Sequence, residues 1–322
     1  MAKISILPYT SDRYERWNSF VTRSNEGTIF HRLDFLAYHG AGFERQEKHL
    51  MWYKGQTLFA VMPMAILERE GRRIAHSPYG GSYGGPVFEK PIDYADSQEV
   101  VSSLLDYLAH LDVTACRLTL PIFCCFAKYS ETFRLALLEH GFRCVNRDIS
   151  SVVCLNRNSP VSETMTSNAR NMARKARKAG VATLHRGSVA DFWILIEKTF
   201  EKHHAEPTHT LQEFRWLCDH LPEDVYVDVA YLRERPIAGI GYFVINQRVT
   251  SSFYLCQNPE FAHLQAQSLL IHDGLIRSQE MGFRWFDFGT SSLNMQGREN
   301  IFHFKESFGA AGFFRDTYML GA

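Results

Sequence analysis

One order of elements is written twice along this chain, and that repetition constrains the fold more than any other feature. In the first half, residues 49–53 alternate as a strand, Lys54-Gly55-Gln56 turns, and residues 57–67 return as a second strand. After Glu68-Arg-Glu-Gly71 a third strand covers 72–76, a helix covers about 97–110, and a strand covers 116–120. The second half has strands over 226–232, 237–245 and 248–256, with turns at Arg233-Glu-Arg-Pro236 and Asn246-Gln247. A helix over 263–281 and a strand over 283–288 follow. Apolar alternation and Gly/Pro/Asn punctuation carry these assignments. Two copies of hairpin, strand, helix, strand predict a mixed α+β fold of two similar domains. The pattern breaks at Asn156-Arg-Asn-Ser-Pro160, which sets the expected domains at 1–155 and 156–312.

The bulk properties fit this plan. At roughly 150 residues per domain, 322 residues make two. With 24 Phe, 14 Tyr and 5 Trp the chain can fill two cores, which excludes a disordered or low-complexity architecture. Lys plus Arg and Asp plus Glu stand at 35 each, so no global basic field exists and DNA is not expected as a partner. Any anion site must be local. The most apolar stretch, 118–127, contains Pro121 and is far shorter than the roughly 20 residues a membrane span needs. The start, Met-Ala-Lys-Ile-Ser, has no apolar signal core. The seven scattered cysteines form no Cys-x-x-Cys pair and read as buried free thiols. A cytoplasmic protein is the expectation.

Four segments carry candidate chemistry. Gly80-Gly-Ser82-Tyr83-Gly84 has the Gly-x-Ser-x-Gly spacing of a hydrolase elbow, but Gly85-Pro86 follows where a helix would have to start. Two readings stay open: a mobile loop, 77–86, beside a ligand cleft, with Tyr79, Ser82 and Tyr83 as cleft residues, or a plain connecting loop. Residues 167–180 read as a helix with Thr166 or Ser167 as N-cap and Gly180 as its stop. Arg170, Arg174, Arg177 and Lys178 share one face, with no acid in the helix, and Ala169, Met172, Ala173, Ala176 and Ala179 cover the other. That face suits phosphates, although cations near a helix C-terminus are also favourable in plain water. Around Pro207, the histidines His203, His204 and His209 lack the helical spacing of a metal site, so no metal is expected. A histidine there, beside Thr208, could line a cleft and act as a base. Finally, residues 283–288 form an apolar strand carrying Asp287 and followed by Gly289-Thr290-Ser291, and Lys305 sits in the aromatic run around Phe304 and Phe308. A lysine there either snorkels or is a buried cation aimed at an anion. Asp287 either takes a proton or caps the following loop. Tyr254 lies on the preceding strand as a further cleft candidate.

These segments together resemble the Fem-type peptidyltransferases (FemABX) and their relatives in the GNAT superfamily of acyltransferases. The residues that carry the resemblance are Asn168-Ala-Arg170 through Gly180-Val181, residues 193–204, Pro236-Ile-Ala-Gly239, Trp285-Phe-Asp287-Phe-Gly289, Phe304-Lys305-Glu-Ser-Phe308-Gly309 and the loop 77–85. The match covers most of 15–315. It implies two GNAT-like domains in tandem, each a twisted, mainly antiparallel sheet flanked by helices. The second domain would hold the donor, and the last strand, 313–322, could return to the first. It also implies transfer of an acyl or aminoacyl group, from aminoacyl-tRNA or acyl-CoA as co-substrate, onto the amine of a small molecule or glycan precursor. No permanent cofactor is implied, and tRNA becomes a candidate partner. Two departures matter. Thr208-His209-Thr210 stands where an arginine would suit a cell-wall nucleotide precursor, and residues 29–35 lack a tryptophan. Residues 257–264 offer no glycine for the acetyltransferase phosphate loop. On this reading Lys305 stabilises an oxyanion, and Asp287, His203 or His209 accepts the amine's proton. Arg170, Arg174, Arg177 and Lys178 hold donor phosphates, and Tyr79, Ser82, Tyr83, Thr208, Tyr254, Thr290 and Ser291 line the acceptor cleft. The alternative is a binding or assembly protein that kept the fold and lost the chemistry.

Overall fold

The computed structural model describes residues 3–321 other than 44, 70, 157 and 204. The chain divides into two compact units, Met1–Asp148 with Phe314–Ala322, and Ile149–Phe313. In chain order the first unit contains β1 (Ile4–Pro8), α1 (Tyr14–Arg23), α2 (Leu33–Leu36), β2 (Leu50–Lys54), β3 (Thr57–Met62), β4 (Ala65–Arg69), β5 (Arg72–Ser77), β6 (Val87–Phe88), α3 (Tyr94–His110), β7 (Ala115–Thr119) and α4 (Thr132–Glu139). The strand β8 (Arg143–Cys154) spans the division. The second unit continues with α5 (Ser167–Lys178), β9 (Val181–His185), α6 (Val189–His203), α7 (Leu211–His220), β10 (Val225–Leu232), β11 (Arg235–Asn246), β12 (Val249–Gln257), α8 (Ala266–Glu280), β13 (Trp285–Thr290), the short pair β14 (Ser292–Leu293) and β15 (Gln296–Gly297), and α9 (Glu299–Ser307). The last strand is β16 (Ala311–Leu320).

The fold is mixed α+β, and both units contain the same core motif. In the first, β4 and β5 form a hairpin, α3 crosses over, and β7 lies parallel to β5, with Ile74 opposite Ala115. In the second, β11 and β12 form the hairpin, α8 crosses, and β13 lies parallel to β12. A parallel neighbour needs such a crossover, which is why each copy places its long helix at this point. The division falls at 148/149, before the expected 155, because Ser150 and Val152–Cys154 of β8 already pair with β13 of the second unit. At the other end, Thr317–Leu320 of β16 pair with Cys116–Thr119 of β7 in the first unit.

Three sequence expectations are corrected. Residues 57–67, read as one strand, are two: Pro63 interrupts them, β3 joins a sheet of order β1-β2-β3-β6, and β4 pairs with β5 instead. A proline has no N–H to give a ladder. The loop 77–86, read as mobile, is pinned. Ser77 Oγ donates to the carbonyl of Pro63 at 2.5 Å and accepts the Gly85 N–H at 2.8 Å. Tyr38 Oη donates to the Gly80 carbonyl, the Gly84 N–H donates to Thr119 O at 2.7 Å, and Arg315 donates to Ser82 O. Gly84 is required there, because a Cβ would lie 2.3 Å from the Ser77–Pro78 backbone. The cysteines are free as expected but not all buried, since Cys144 and Cys154 are exposed on β8.

The second unit's core explains its helices. Ala169, Ala173 and Ala176 of α5 recur at helical spacing and are buried, while Ala179 is exposed beyond the last turn. They join Leu269, Leu270, Ile271 and Leu275 of α8 and Tyr242 and Phe286 of the sheet in one core cluster. The next residue along β11, Phe243, instead stacks on Phe214 of α7, as alternation across a sheet requires. Gly274 lets α8 close on the sheet: a Cβ there would meet Tyr242 Oη at 2.1 Å. Gly274→Ala is therefore expected to destabilise the fold by about 1–3 kcal/mol through overpacking. Denaturant unfolding of the variant measures this, and an unchanged midpoint would contradict the contact.

Candidate active site

The parallel pair β12–β13 is short. Val249, Thr250 and Ser251 lie opposite Trp285, Phe286 and Asp287, and beyond Asp287 the pairing between these strands stops. Both strands also carry irregularities here. Phe253 is extra in the β11–β12 register, between Gly241↔Tyr254 and Tyr242↔Ser252. The β13–β8 register shifts between Asp287 and Thr290. Such bulges re-aim side chains and end pairing. Where the strands part, a cavity of about 400 Å³ opens, within the usual size range of ligand sites. Ser252, Phe253 and Gln257 of β12, Phe288 and Thr290 of β13, Thr199 and Lys202 of α6, and Phe304 and Lys305 of α9 are among its walls.

Lys305 stands in the wall of this cavity. It is only 5% exposed. Its Nζ donates to the main-chain carbonyls of Gly289 at 2.9 Å and Thr290 at 2.7 Å. An ammonium has three donors, so one is left for a ligand. Burial pushes its pKa down to about 8, against the opposing pull of the Asp287 carboxylate. Asp287 is itself buried and accepts the Gly289 N–H at 2.8 Å. Gly289 has φ +71°, a conformation that suits glycine, and it turns its carbonyl toward Lys305 while its N–H faces Asp287. Asp287 thus caps the turn that holds Lys305, the second of the two roles read from the sequence.

The other sequence candidates divide. Thr290 lines the cavity with Lys305, and the neighbouring Ser291 is fully buried, its Oγ 2.6 Å from Ser151 Oγ. His209 is a core histidine and not a cavity base. It is 2% exposed, lies against Phe214, Phe243 and Phe253, and its Nδ1 is 2.9 Å from Tyr254 Oη. Burial holds the Tyr254 hydroxyl up at about 12, so it too serves as a packed hydrogen-bonding group. Thr208 is exposed beside them. His203 is the last residue of α6, with its side chain outside the described part, and His204 lies outside the described residues. Tyr79, Ser82 and Tyr83 belong to the first unit, where Tyr79 Oη donates to Glu47, the Ser82 carbonyl accepts from Arg315, and Tyr83 is buried against Phe30.

The basic helix is also only partly free. Arg170 is half-buried and donates to the carbonyls of Ser162 and Met165, and Arg177 pairs with Asp273 of α8. Those two cations are bound to the protein itself, whereas Arg174, Lys175 and Lys178 are exposed. The cavity residues Lys202, Ser252 and Gln257 were missed in the sequence. They come from α6 and β12, and only the parting of two strands brings them to Lys305. Ser252 Oγ is buried without a hydrogen-bond partner in the wall of this cavity, a signal the sequence does not contain.

Residues 164–306 match the family model described as an acetyltransferase (GNAT) domain. The matched residues fall inside the second unit, which has a GNAT-like fold. The whole chain is FemABX-like in fold: it superposes on the crystal structure of FemX with a TM-score of 0.71 at 12% identity, covering 98% of this chain and 96% of that one. The C-terminal domain of a putative lysylphosphatidylglycerol synthetase from Agrobacterium fabrum matches with a TM-score of 0.63 at 10% identity over 97% and 93% of the two chains. A tandem GNAT protein from the clavulanic acid biosynthesis pathway matches with a TM-score of 0.56 at 8% identity over 98% of each. No curated protein sequence matches significantly. Among the described residues, no helix is long and apolar enough to cross a membrane.

The coupling between Asp287 and Lys305 makes a prediction with a definite sign. The carboxylate raises the Lys305 pKa, so Asp287→Asn should lower it below about 8 and leave less ammonium at neutral pH. NMR titration of the Lys305 ε-carbon reads this directly, and an upward shift would show that Asp287 does not act on Lys305 by charge.

Proposed function

We propose that the chain is an acyltransferase that moves an acyl or aminoacyl group from an activated ester or thioester onto an amine, forming an amide. The GNAT domain supports the reaction class. The observation that carries the reading is Lys305, a buried cation with an unused donor in the wall of an open cavity within that domain. Attack by a neutral amine forms the C–N bond and places negative charge on the former carbonyl oxygen. The Lys305 ammonium stabilises that oxygen, collapse breaks the C–O or C–S bond, and the proton that the attacking nitrogen sheds passes through solvent to the leaving oxygen or sulfur. Two main-chain carbonyls hold the ammonium in place beforehand, so little reorganisation is needed during reaction. His209 is not the base in this scheme, since it does not line the cavity. Asp287 acts by orienting the Gly289 turn and supporting the charge on Lys305.

The donor on this reading is an aminoacyl-tRNA or an acyl-CoA, and the acceptor is a small-molecule amine. The exposed cations Arg174 and Lys178 of α5 are the phosphate contacts we assign to the donor, with Arg170 and Arg177 as structural residues.

Lys305→Met should lower turnover by about 10²–10³-fold while donor affinity changes little. Steady-state kinetics alongside donor binding tests this, and equal turnover would remove the role. The pH profile has a sign as well. Because the ammonium form works, the rate should fall as pH rises through about 8, the Lys305 pKa. In Lys305→Arg that falling limb should move well above 8. For the donor, a mobility shift with bulk aminoacylated tRNA should be lost in the double variant Arg174→Glu, Lys178→Glu. If neither protein shifts tRNA, consumption of acyl-CoA with mixed amines identifies the other donor.

A further inference from the structure

The first unit holds a cavity of its own, about 490 Å³, that the transfer chemistry does not use. Its walls include Tyr9, Tyr14 and Tyr107, together with Glu47, Lys48 and His49. Tyr9 follows β1, Tyr14 opens α1 and Tyr107 lies on α3, so three elements converge with aromatic rings on one hollow.

The charges around it are arranged with care for sign. His49 is 7% exposed and accepts the Met64 N–H at Nδ1, 3.3 Å away, so the ring's single proton sits on Nε2. Burial and the neighbouring Lys48 charge pull its pKa down to about 4, so the ring is neutral at pH 7. That Nε2 lies 3.7 Å from Glu47 Oε2, and Tyr79 Oη donates to Glu47 Oε1 at 2.8 Å. Both neighbours are neutral: they orient the carboxylate without cancelling its charge. Lys48 Nζ donates to the main-chain carbonyls of Arg45 at 3.1 Å and Glu47 at 3.0 Å, again neutral partners. The hollow therefore carries one acidic and one basic side chain, with three tyrosines in its walls, and aromatic rings attract an ammonium.

A simple cation would leave Lys48 unanswered, and a simple anion would leave Glu47 unanswered. We propose that this cavity binds a small zwitterion of the free α-amino acid class, with its ammonium against Glu47 and the tyrosine rings and its carboxylate against Lys48. The site lies wholly within the first unit and does not depend on the acyl-transfer reading.

Three probes of one shape separate the possibilities: L-phenylalanine, phenethylamine and 3-phenylpropionate, each titrated calorimetrically into the whole chain. L-Phenylalanine should bind saturably and about tenfold tighter than either single-charge probe, the equivalent of one productive charge contact. Glu47→Gln should remove its advantage over 3-phenylpropionate, and Lys48→Met its advantage over phenethylamine. Absence of saturable binding by L-phenylalanine, or affinity no better than both analogues, overturns the assignment. So does affinity unchanged in both variants. If Glu47→Gln does not fold, Lys48→Met, whose ammonium holds only loop carbonyls, decides alone.

Discussion

The parting of β12 from β13 after three paired residues is the constraint on which the rest of the second unit depends. Parallel strands that stayed paired would fill the space where the cavity lies. Instead each strand carries a bulge-like register shift at the point of separation, and the sheet opens. The crossover helix α8 holds the paired ends together from one side, with Gly274 allowing close contact on Tyr242. The carbonyls of Gly289 and Thr290, beyond the last β12–β13 pair, must then find donors. Lys305 supplies them. A gap in one ladder therefore creates both the cavity and the seat of its cation.

That seat explains why a lysine can be kept 5% exposed with no direct ion pair among the described residues to carry it. Burial alone disfavours the ammonium, and the pKa falls accordingly. Two carbonyl dipoles and the nearby Asp287 charge offset part of the cost. The result is a cation at the margin of its charged range near neutral pH, held rigid, with a donor unused. The same economy appears elsewhere in the second unit, where buried Asp228 is met by Arg277 and His185 together. There, however, the acid is met directly by a guanidinium.

Much of this was legible in the sequence. The doubled order of elements follows from alternation and turn residues, and each βαβ copy stands where it was read. Lys305 and Asp287 were singled out because a lone lysine in an aromatic run and an acid near the end of a strand are out of place unless partnered. The misses have physical reasons. Pro63 broke a strand that looked continuous by its apolar content. The glycines of 77–86 suggested mobility, whereas they permit close approach of a pinned backbone. His209 looked like a cleft residue because its local sequence is polar. Its contacts are Phe214, Phe243 and Phe253, brought from other elements.

The sequence by itself determined the α+β class, the tandem plan and the apolar stripe of α5, and it singled out Lys305 and Asp287 as candidates, since these are properties of local periodicity and of residues in the wrong company. Only the tertiary structure decided which charges are available. Arg170 and Arg177 look as free as Arg174 in the helix pattern, yet one is spent on carbonyls and the other on Asp273. Periodicity tells which way a side chain points along its own element. Whether another element waits there to satisfy it depends on contacts between residues far apart in the chain.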